Sequence, residues 1–206
     1  MTVAVIGSSH VCRLRDQLEK GSIYPGVGLN NFPTIEWFGK SGLTAEDLAN
    51  LDKQTTREWR DRIRRLQPEV ACLMVGANDL DRAADRRRGI REKDAVDVLK
   101  YIREVVQWLK PLVGRVLIVP LWHRQYPRNR SCHFRHRYPG RADYTKACRN
   151  LNKKLYAMGE MGVRMTPTLK LKNADLSDCI HLKPAANKKL LNVLRKEMRK
   201  PDPSAE

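Results

Sequence analysis

The chain has 206 residues and carries 40 lysines and arginines against 23 aspartates and glutamates, which gives a formal net charge of +17 at pH 7. This length predicts one domain with a sizeable core over residues 1–200 and a frayed tail at 201–206. No run of about 18 uncharged apolar residues is present and the N-terminus lacks a signal-peptide pattern. These absences argue against a transmembrane helix and predict an intracellular protein, cytoplasmic or nuclear. Five cysteines without a C-x-x-C pair predict reduced thiols.

Short apolar runs alternate along the chain with longer stretches of helical period. The predicted strands cover residues 3–6, 34–38, 69–75, 116–121 and 163–165. The predicted helices cover residues 55–67, 94–112, 144–158 and 184–199. This order predicts an α/β protein, a three-layer α/β/α sandwich with a central parallel sheet of the flavodoxin-like kind.

The segment at 121–141 lacks periodicity and combines arginines with Tyr126, Phe134 and Tyr138. Aromatic rings beside basic side chains suit single-stranded nucleic acid, because bases stack on the rings while phosphates are neutralised. The high positive charge favours the same partners, RNA or single-stranded DNA. The candidate contacts are Arg86, Arg87, Arg88, Arg128, Arg130, Arg135 and Arg137. The alternative is an active-site lid whose rings pack over a crevice, and the residues leave both interpretations open.

The same segment contains four side chains of types that bind zinc. They are His123, Cys132, His133 and His136. Their spacing does not fit a structural zinc site, and the neighbouring arginines would repel a cation. We therefore predict no metal.

Polar residues cluster where the predicted strands end. Ser9 follows the first strand, Gly42 the second and Asn78 the third, while Asp178 and His181 precede the last helix. The carboxyl ends of parallel strands meet at one edge of a sheet, where ligands bind. We therefore expect these residues to lie close together.

These residue types predict an acyl-transfer site. Ser9 needs a base to remove its proton, His181 can be that base, and Asp178 can hold the other imidazole nitrogen. Backbone N–H groups of Ser9 and Gly42, with the side-chain amide of Asn78, would donate to the oxyanion.

Each of these residues also has a plainer interpretation. Ser9 could be the N-cap of a helix, Asn78 could belong to an ordinary turn, and Asp178 could cap the last helix. His10 is either a second polar group at the mouth of the pocket or a cap of the helix that follows it. The order of the polar clusters favours the functional interpretation.

Four short motifs resemble the conserved blocks of the SGNH hydrolases, also called the GDSL-like esterase and lipase superfamily. They are Gly7-Ser8-Ser9, Gly42 within GKSGLTAEDL, Gly76-Ala77-Asn78-Asp79 and Asp178-Cys179-Ile180-His181. The resemblance covers nearly the whole chain, and four motifs in order at the ends of elements are far more specific than any one of them. It implies that Ser9 is the nucleophile. In one departure, the family usually has aspartate where this chain has Ser8.

Residues and resemblance together predict a serine esterase without a cofactor. It would hydrolyse acetyl or other acyl esters through an acyl-enzyme on Ser9, with His181 as general base and then acid. The alternative is a nucleic-acid-binding module on the same fold, with weak or no esterase activity, in a retroelement-type protein. Esterase domains similar to this one occur in proteins of some retroelements, which is an argument from analogy.

Overall fold

A central parallel sheet organises the chain. The computed structural model describes residues 1–21, 34–87, 90–122, 141–161, 163–177 and 181–200. Within these residues five parallel strands pair in the order β2-β1-β3-β4-β5. The strands are β1 (Thr2–Gly7), β2 (Thr34–Gly39), β3 (Val70–Met74), β4 (Arg115–Ile118) and β5 (Val163–Met165). The predicted α/β class with a parallel sheet is confirmed.

Helices cover both faces of this sheet. They are α1 (Ser9–Glu19), α2 (Ala45–Ala49), α3 (Gln54–Leu66), α4 (Ala77–Arg87), α5 (Glu92–Leu109), α6 (Arg141–Tyr156) and α7 (Pro184–Met198). Successive side chains of β1 point to opposite faces, so Ala4 and Ile6 join one apolar core while Val3 and Val5 join the other. The first core includes side chains of α2 to α6, and the second includes those of α1 and α7. The predicted three-layer sandwich is confirmed.

The fourth strand is shorter than its sequence predicts. The apolar run predicts a strand to residue 121, whereas β4 ends at Ile118. Pro120 has no amide hydrogen to donate to the ladder, so the chain leaves the sheet near it. As a result, Leu121 and Trp122 lie at the carboxyl edge of the sheet instead of within it.

Besides α1, which was expected after Ser9 without a predicted range, two of the observed helices, α2 and α4, correspond to no predicted helix. The five residues of α2 are too few for a helical period to be recognised. The run of charged residues in α4 reads as a polar segment, because only Leu80 and two alanines are apolar after its first residue. Both helices contact the site described below.

None of the helices among the described residues is long and apolar enough to cross a membrane. Within the same part of the chain, Cys12, Cys72 and Cys148 are reduced thiols, and Cys72 and Cys148 are buried. Burial raises the pKa of Cys72 to about 12, so its thiol stays protonated and behaves as a small apolar group.

Candidate active site

The carboxyl ends of β1, β2 and β3 form the edge from which the segments with Ser9, Gly42 and Asn78 begin. In the register of the sheet, Gly7 at the end of β1 is opposite Gly39 of β2 and Met74 of β3. The segments that follow these three strands therefore begin side by side. Open parallel sheets bind their ligands at this edge.

The turn after β1 presents Ser9. A β-carbon on Gly7 would lie 2.5 Å from the carbonyl oxygen of Met74, so only glycine fits where the turn begins. Ser8 has the extended backbone of a helix N-cap, with φ −86° and ψ −156°, and is buried. Ser9 is the first residue of α1 and is less buried than Ser8. The cap of this helix is therefore Ser8, which contradicts the interpretation of Ser9 as the cap.

His181 approaches Ser9 from the other end of the chain. Its Nε2 lies 2.9 Å from Ser9 Oγ, a hydrogen-bonding distance between residues 172 positions apart in the sequence. The backbone N–H and the hydroxyl of Ser177 both donate to the carbonyl oxygen of His181, at 2.8 and 3.2 Å. Leu176 and Leu182 form an antiparallel bridge beside them. This pairing holds the loop that carries the imidazole.

Asp178 lies outside the described residues. Its predicted hydrogen bond with His181 stays a prediction, as does the alternative that it caps the last helix. The described N-cap of α7 is Lys183, which makes no side-chain capping hydrogen bond.

The first turn of α4 holds the loop between β2 and α2. The side-chain amide of Asn78 donates to the carbonyl oxygen of Leu43 at 2.9 Å. The two carboxylate oxygens of Asp79 accept from the backbone N–H groups of Ala45, at 2.8 Å, and Glu46, at 3.0 Å. Asn78 and Asp79 therefore begin a helix that fixes this loop, and the interpretation of the pair as an ordinary turn is wrong.

The loop between β2 and α2 turns at Gly42. Its φ of +74° lies in the left-handed region that favours glycine. An added β-carbon would meet nothing within 4 Å, so the backbone angle, rather than crowding, favours glycine here. Arg82 of α4 donates to the carbonyl oxygen of Gly42 at 3.4 Å. The loop is thus tied to α4 at both Gly42 and Leu43.

Two carboxylates near this loop have pKa values shifted in opposite directions. Burial raises the pKa of Asp79 to about 6, although the hydrogen bonds that its carboxylate accepts from backbone N–H groups oppose this rise. Burial also acts to raise the pKa of Asp47, but hydrogen bonds from Lys53 and Thr44 and the charge of Arg82 outweigh it and lower the pKa to about 2. Asp47 is therefore ionised at neutral pH, and Asp79 is the more easily protonated of the two.

Two hollows walled by described residues open at this edge, one on each side of β1. We call the first the apolar hollow. It has a volume of about 20 Å³, lies at the ends of β3 and β4, and is lined by residues that include His10, Met74, Ala77, Pro120, Leu121 and Trp122. We call the second the polar cleft. It has a volume of about 300 Å³, lies at the end of β2, and is lined by residues that include Lys40, Gly42, Asp47, Lys53, Thr55 and Arg82.

His10 connects the apolar hollow to the Ser9–His181 pair. Its ring packs edge-on against Trp122, with centroids 4.7 Å apart, and lies 5.1 Å from the ring of His181. The side chain is 8% exposed. Because Ser8 is the N-cap of α1, His10 is a wall of the hollow and not a cap of the helix.

Sequence analysis did not assign a role to Asp79, Arg82 or Trp122. Asp79 belongs to the third motif, but its motif position does not reveal that its carboxylate reaches a helix 33 to 34 positions away. Arg82 lies in the same arginine-rich run as Arg86, Arg87 and Arg88, which the sequence predicts to contact nucleic acid. Trp122 could have been found from the sequence, because a residue that follows a predicted strand and its proline is expected at the carboxyl edge of the sheet.

The candidate nucleic-acid contacts are not tested by the structure. Arg88, Arg128, Arg130, Arg135 and Arg137 lie outside the described residues, and the side chains of Arg86 and Arg87 are not described either. Where side chains are described, no three of the types that ligate metals come together.

Comparison with known proteins places the chain by its fold. No protein-family model matches the sequence, and no curated protein matches it either. Among solved structures, a protein assigned as an acylhydrolase from Bacteroides fragilis has a TM-score of 0.63 and 15% identity, over 96% of this chain and 86% of the other. A GDSL-like lipase from Bacteroides thetaiotaomicron has a TM-score of 0.59 and 15% identity, over the same shares.

The acetylxylan esterase Axe2 from Geobacillus stearothermophilus is also similar. A catalytic mutant of Axe2 has a TM-score of 0.61 and 16% identity, over 97% of this chain and 94% of the other. At these identities the likeness establishes a shared fold, the α/β fold of GDSL-like lipases and acetylxylan esterases. The structures named here say nothing of nucleic acid or retroelements, and those two predictions stay predictions.

Proposed function

We propose that the protein is a serine hydrolase of carboxylic esters in which Ser9 is the nucleophile and His181 the general base. The observation that carries this proposal is the 2.9 Å separation between Ser9 Oγ and His181 Nε2 at the carboxyl edge of the sheet. A serine within hydrogen-bonding reach of an imidazole is the arrangement that activates a hydroxyl for attack on an acyl carbon. The shared fold with ester hydrolases supports the same reaction class.

The first half of the reaction forms an acyl-enzyme. Ser9 Oγ attacks the carbonyl carbon while Nε2 of His181 takes its proton. The tetrahedral intermediate then collapses, the bond to the alcohol oxygen breaks, and His181 returns the proton to the leaving alcohol. In the second half, water attacks the acyl carbon while His181 takes its proton. The bond between that carbon and Ser9 Oγ then breaks as His181 returns the proton to Oγ, and the carboxylic acid is released.

The negative charge on the tetrahedral intermediate requires hydrogen-bond donors. We assign this role to the backbone N–H groups of Ser9 and Gly42 and to the side-chain amide of Asn78. One hydrogen of that amide donates to Leu43, which ties the amide to the loop of Gly42. The same contact therefore positions both the loop of Gly42 and the amide of Asn78, so these donors are held in place before substrate binds.

Asp178 is proposed to accept from the other ring nitrogen of His181 and to stabilise the imidazolium. The support comes from the motif spacing and from Axe2. Mutants of that esterase described as catalytic replace a serine, an aspartate or a histidine by alanine, and the replaced aspartate precedes the histidine by three positions. Asp178 precedes His181 by the same number of positions.

The size of the apolar hollow favours a short acyl group. At about 20 Å³ it has room for a methyl group or little more, and its lining is mostly apolar. We therefore propose acetyl esters as the preferred substrates.

The decisive experiment is hydrolysis of p-nitrophenyl acetate by the wild-type protein and by Ser9→Ala, with folding verified by circular dichroism. The neighbouring serine supplies a matched control in Ser8→Ala, because Ser8 is a buried helix cap one position away. We expect Ser9→Ala to lose at least about 10³-fold in kcat/KM and Ser8→Ala to keep most of the activity. Equal activity of Ser9→Ala and wild type, or an inert wild type, would contradict the proposal.

A further inference from the structure

The polar cleft carries an excess of positive charge next to the proposed oxyanion site. Among the described residues, its lining contains Lys40, Lys53 and Arg82 with the single carboxylate of Asp47, an excess of two positive charges. Lys53 and Arg82 both contact Asp47, the latter at 3.3 Å. The carboxylate of Asp47 therefore pairs with two cations, and the described lining of the cleft keeps a net positive charge.

Lys40 adds a charge that Asp47 does not neutralise. Its ammonium donates to the hydroxyl of Thr55 at 2.9 Å, and a hydroxyl is a neutral partner. The lysine follows β2 directly and its side chain is exposed. A compact ammonium at the mouth of a cleft is well suited to attract a small anion.

The cleft adjoins the proposed oxyanion site through Gly42. Gly42 lines it, and the backbone N–H of Gly42 is one of the donors proposed for the oxyanion. The apolar hollow lies on the other side of β1, and its described walls leave only about 20 Å³, far less than the polar cleft. The alcohol part of a bound ester is then the part that enters the polar cleft, where about 300 Å³ is open.

We propose that the polar cleft binds an anionic group, such as a carboxylate, on the alcohol part of the substrate ester, with Lys40 as its outermost contact. This inference rests on the proposed esterase function and deepens it by naming the substrate class. The substrate would be a short-chain ester of an acidic alcohol, with its acyl group in the apolar hollow and its negative charge between Lys40, Lys53 and Arg82.

The test compares two esters that differ only in charge, 4-acetoxybenzoate and methyl 4-acetoxybenzoate. Each kcat/KM is divided by the rate of hydroxide hydrolysis of the same ester, which removes the difference in leaving group. We expect the ratio of anionic to neutral ester to exceed about 5 at low salt and to fall as salt is added, because added ions screen exposed charges. A ratio at or below 1 would overturn the proposal, while Ser9-dependent hydrolysis of the neutral ester would leave the esterase function intact.

Lys40→Gln is the variant that isolates the charge, because glutamine keeps a donor for Thr55. We expect it to lower the ratio about fivefold. The matched control is Lys196→Gln. Lys196 is an exposed lysine in the last turn of α7, near Met198, whose carbonyl accepts from Arg115 at the opposite edge of the sheet. An equal drop in both variants would indicate a general effect of net charge and would contradict a site in the cleft.

Binding separates the two proposals if turnover fails. Isothermal titration calorimetry with Ser9→Ala measures the affinity of the intact esters without hydrolysis. We expect the anionic ester to bind more tightly than the neutral one, and the difference to shrink in the double variant Ser9→Ala, Lys40→Gln. Equal affinities would overturn the anionic subsite, whatever the outcome for esterase activity.

Discussion

The two sides of Ser9 are built in different ways. The apolar hollow is walled by residues that follow β3 and β4, strands whose side chains are almost entirely buried. The polar cleft is walled by residues around the end of β2, which is at the edge of the described sheet and is partly exposed. The residues after β4 continue apolar, with Val119, Leu121 and Trp122, whereas those directly after β2, Lys40 and Ser41, are polar.

This difference determines what holds each side in place. The apolar hollow rests on the core of the protein, since Met74 and Trp122 belong to the same buried cluster as the strands beneath them. The polar cleft depends on hydrogen bonds to two carboxylates, Asp79 and Asp47. Single polar substitutions should therefore damage the cleft strongly, and changes of side-chain size should act mainly on the hollow.

The largest expected effect comes from Asp79→Ala, which breaks the polar side alone. It leaves the buried N–H of Ala45 and the N–H of Glu46 without their acceptor, and each buried unsatisfied donor costs about 1–3 kcal/mol. We expect the free energy of unfolding to fall by about 2–4 kcal/mol. We expect kcat/KM for p-nitrophenyl acetate to fall about 10²-fold, the usual effect of losing one oxyanion donor.

The control for this prediction is Asp61→Ala. Asp61 is an exposed aspartate on α3 that pairs with Arg64, and exposed pairs contribute little to stability. We expect urea unfolding of this variant to differ from wild type by less than about 0.5 kcal/mol. If Asp79→Ala were as stable and as active as Asp61→Ala, the loop would not depend on the carboxylate.

The second effect is on the pH dependence of stability, and it distinguishes the two carboxylates of the polar side, Asp79 and Asp47. The pKa of Asp79 is raised to about 6 in the folded protein, so the folded state binds more protons than the unfolded state between about pH 4 and 6. This contribution to stability is present below about pH 4 and is lost as the pH rises through 6. Asp47, with its pKa lowered to about 2, behaves oppositely and loses its contribution as the pH falls below 4.

Asp79→Asn tests this assignment because asparagine does not titrate. We expect the decline in unfolding free energy between pH 4 and 7 to be smaller in the variant by about 2 kcal/mol. The measurement is urea unfolding at each pH, with tryptophan fluorescence as the signal. An unchanged decline would assign the titration to another group.

The third effect breaks the apolar side. Trp122→Ala removes a wall of the apolar hollow and enlarges it by much more than its present 20 Å³. We expect the ratio of kcat/KM for p-nitrophenyl butyrate over acetate to rise about tenfold, because buried methylene groups contribute about 0.8 kcal/mol each. The charge preference of the polar cleft should not change.

Trp59→Ala is the matched control for that variant. Trp59 of α3 packs edge-on against Phe38 of β2, away from the apolar hollow. Both variants lose an indole, but only Trp122→Ala should alter the preference for chain length. A similar shift in both would mean that the preference reports general loosening of the fold.

The apolar side was the more predictable of the two regions. Buried strands such as β3 and β4 are visible as valine and leucine runs, and their order predicts the sheet. Ser9, Gly42 and Asn78 could be placed near one another because each follows a strand of a parallel sheet. The pairing of Ser9 with His181 followed from motif order, since no local pattern links residues 172 positions apart.

The polar side could not be predicted because its contacts are made by charged residues across the chain. In sequence, Asp47, Lys53 and Arg82 are indistinguishable from surface residues, and only their positions in space reveal a cleft. The helix α4 was missed for the same reason, since its charged composition hides its period. The end of β4 was misplaced because an apolar run continues past Pro120 after pairing has stopped.

The smallest expected effect concerns Ser8, which lies between the two sides of the site. Ser8 has the backbone of an N-cap, but its side chain makes no capping hydrogen bond. Asparagine is among the best N-cap residues, so we expect Ser8→Asn to raise the unfolding free energy by about 0.5–1 kcal/mol. Ser8→Asp should gain less, because this site is 3% exposed and a buried carboxylate loses hydration. If urea unfolding instead shows Ser8→Asp to be the more stable variant, the positive end of α1 outweighs that loss, and a negative charge beside Ser9 stabilises the folded protein.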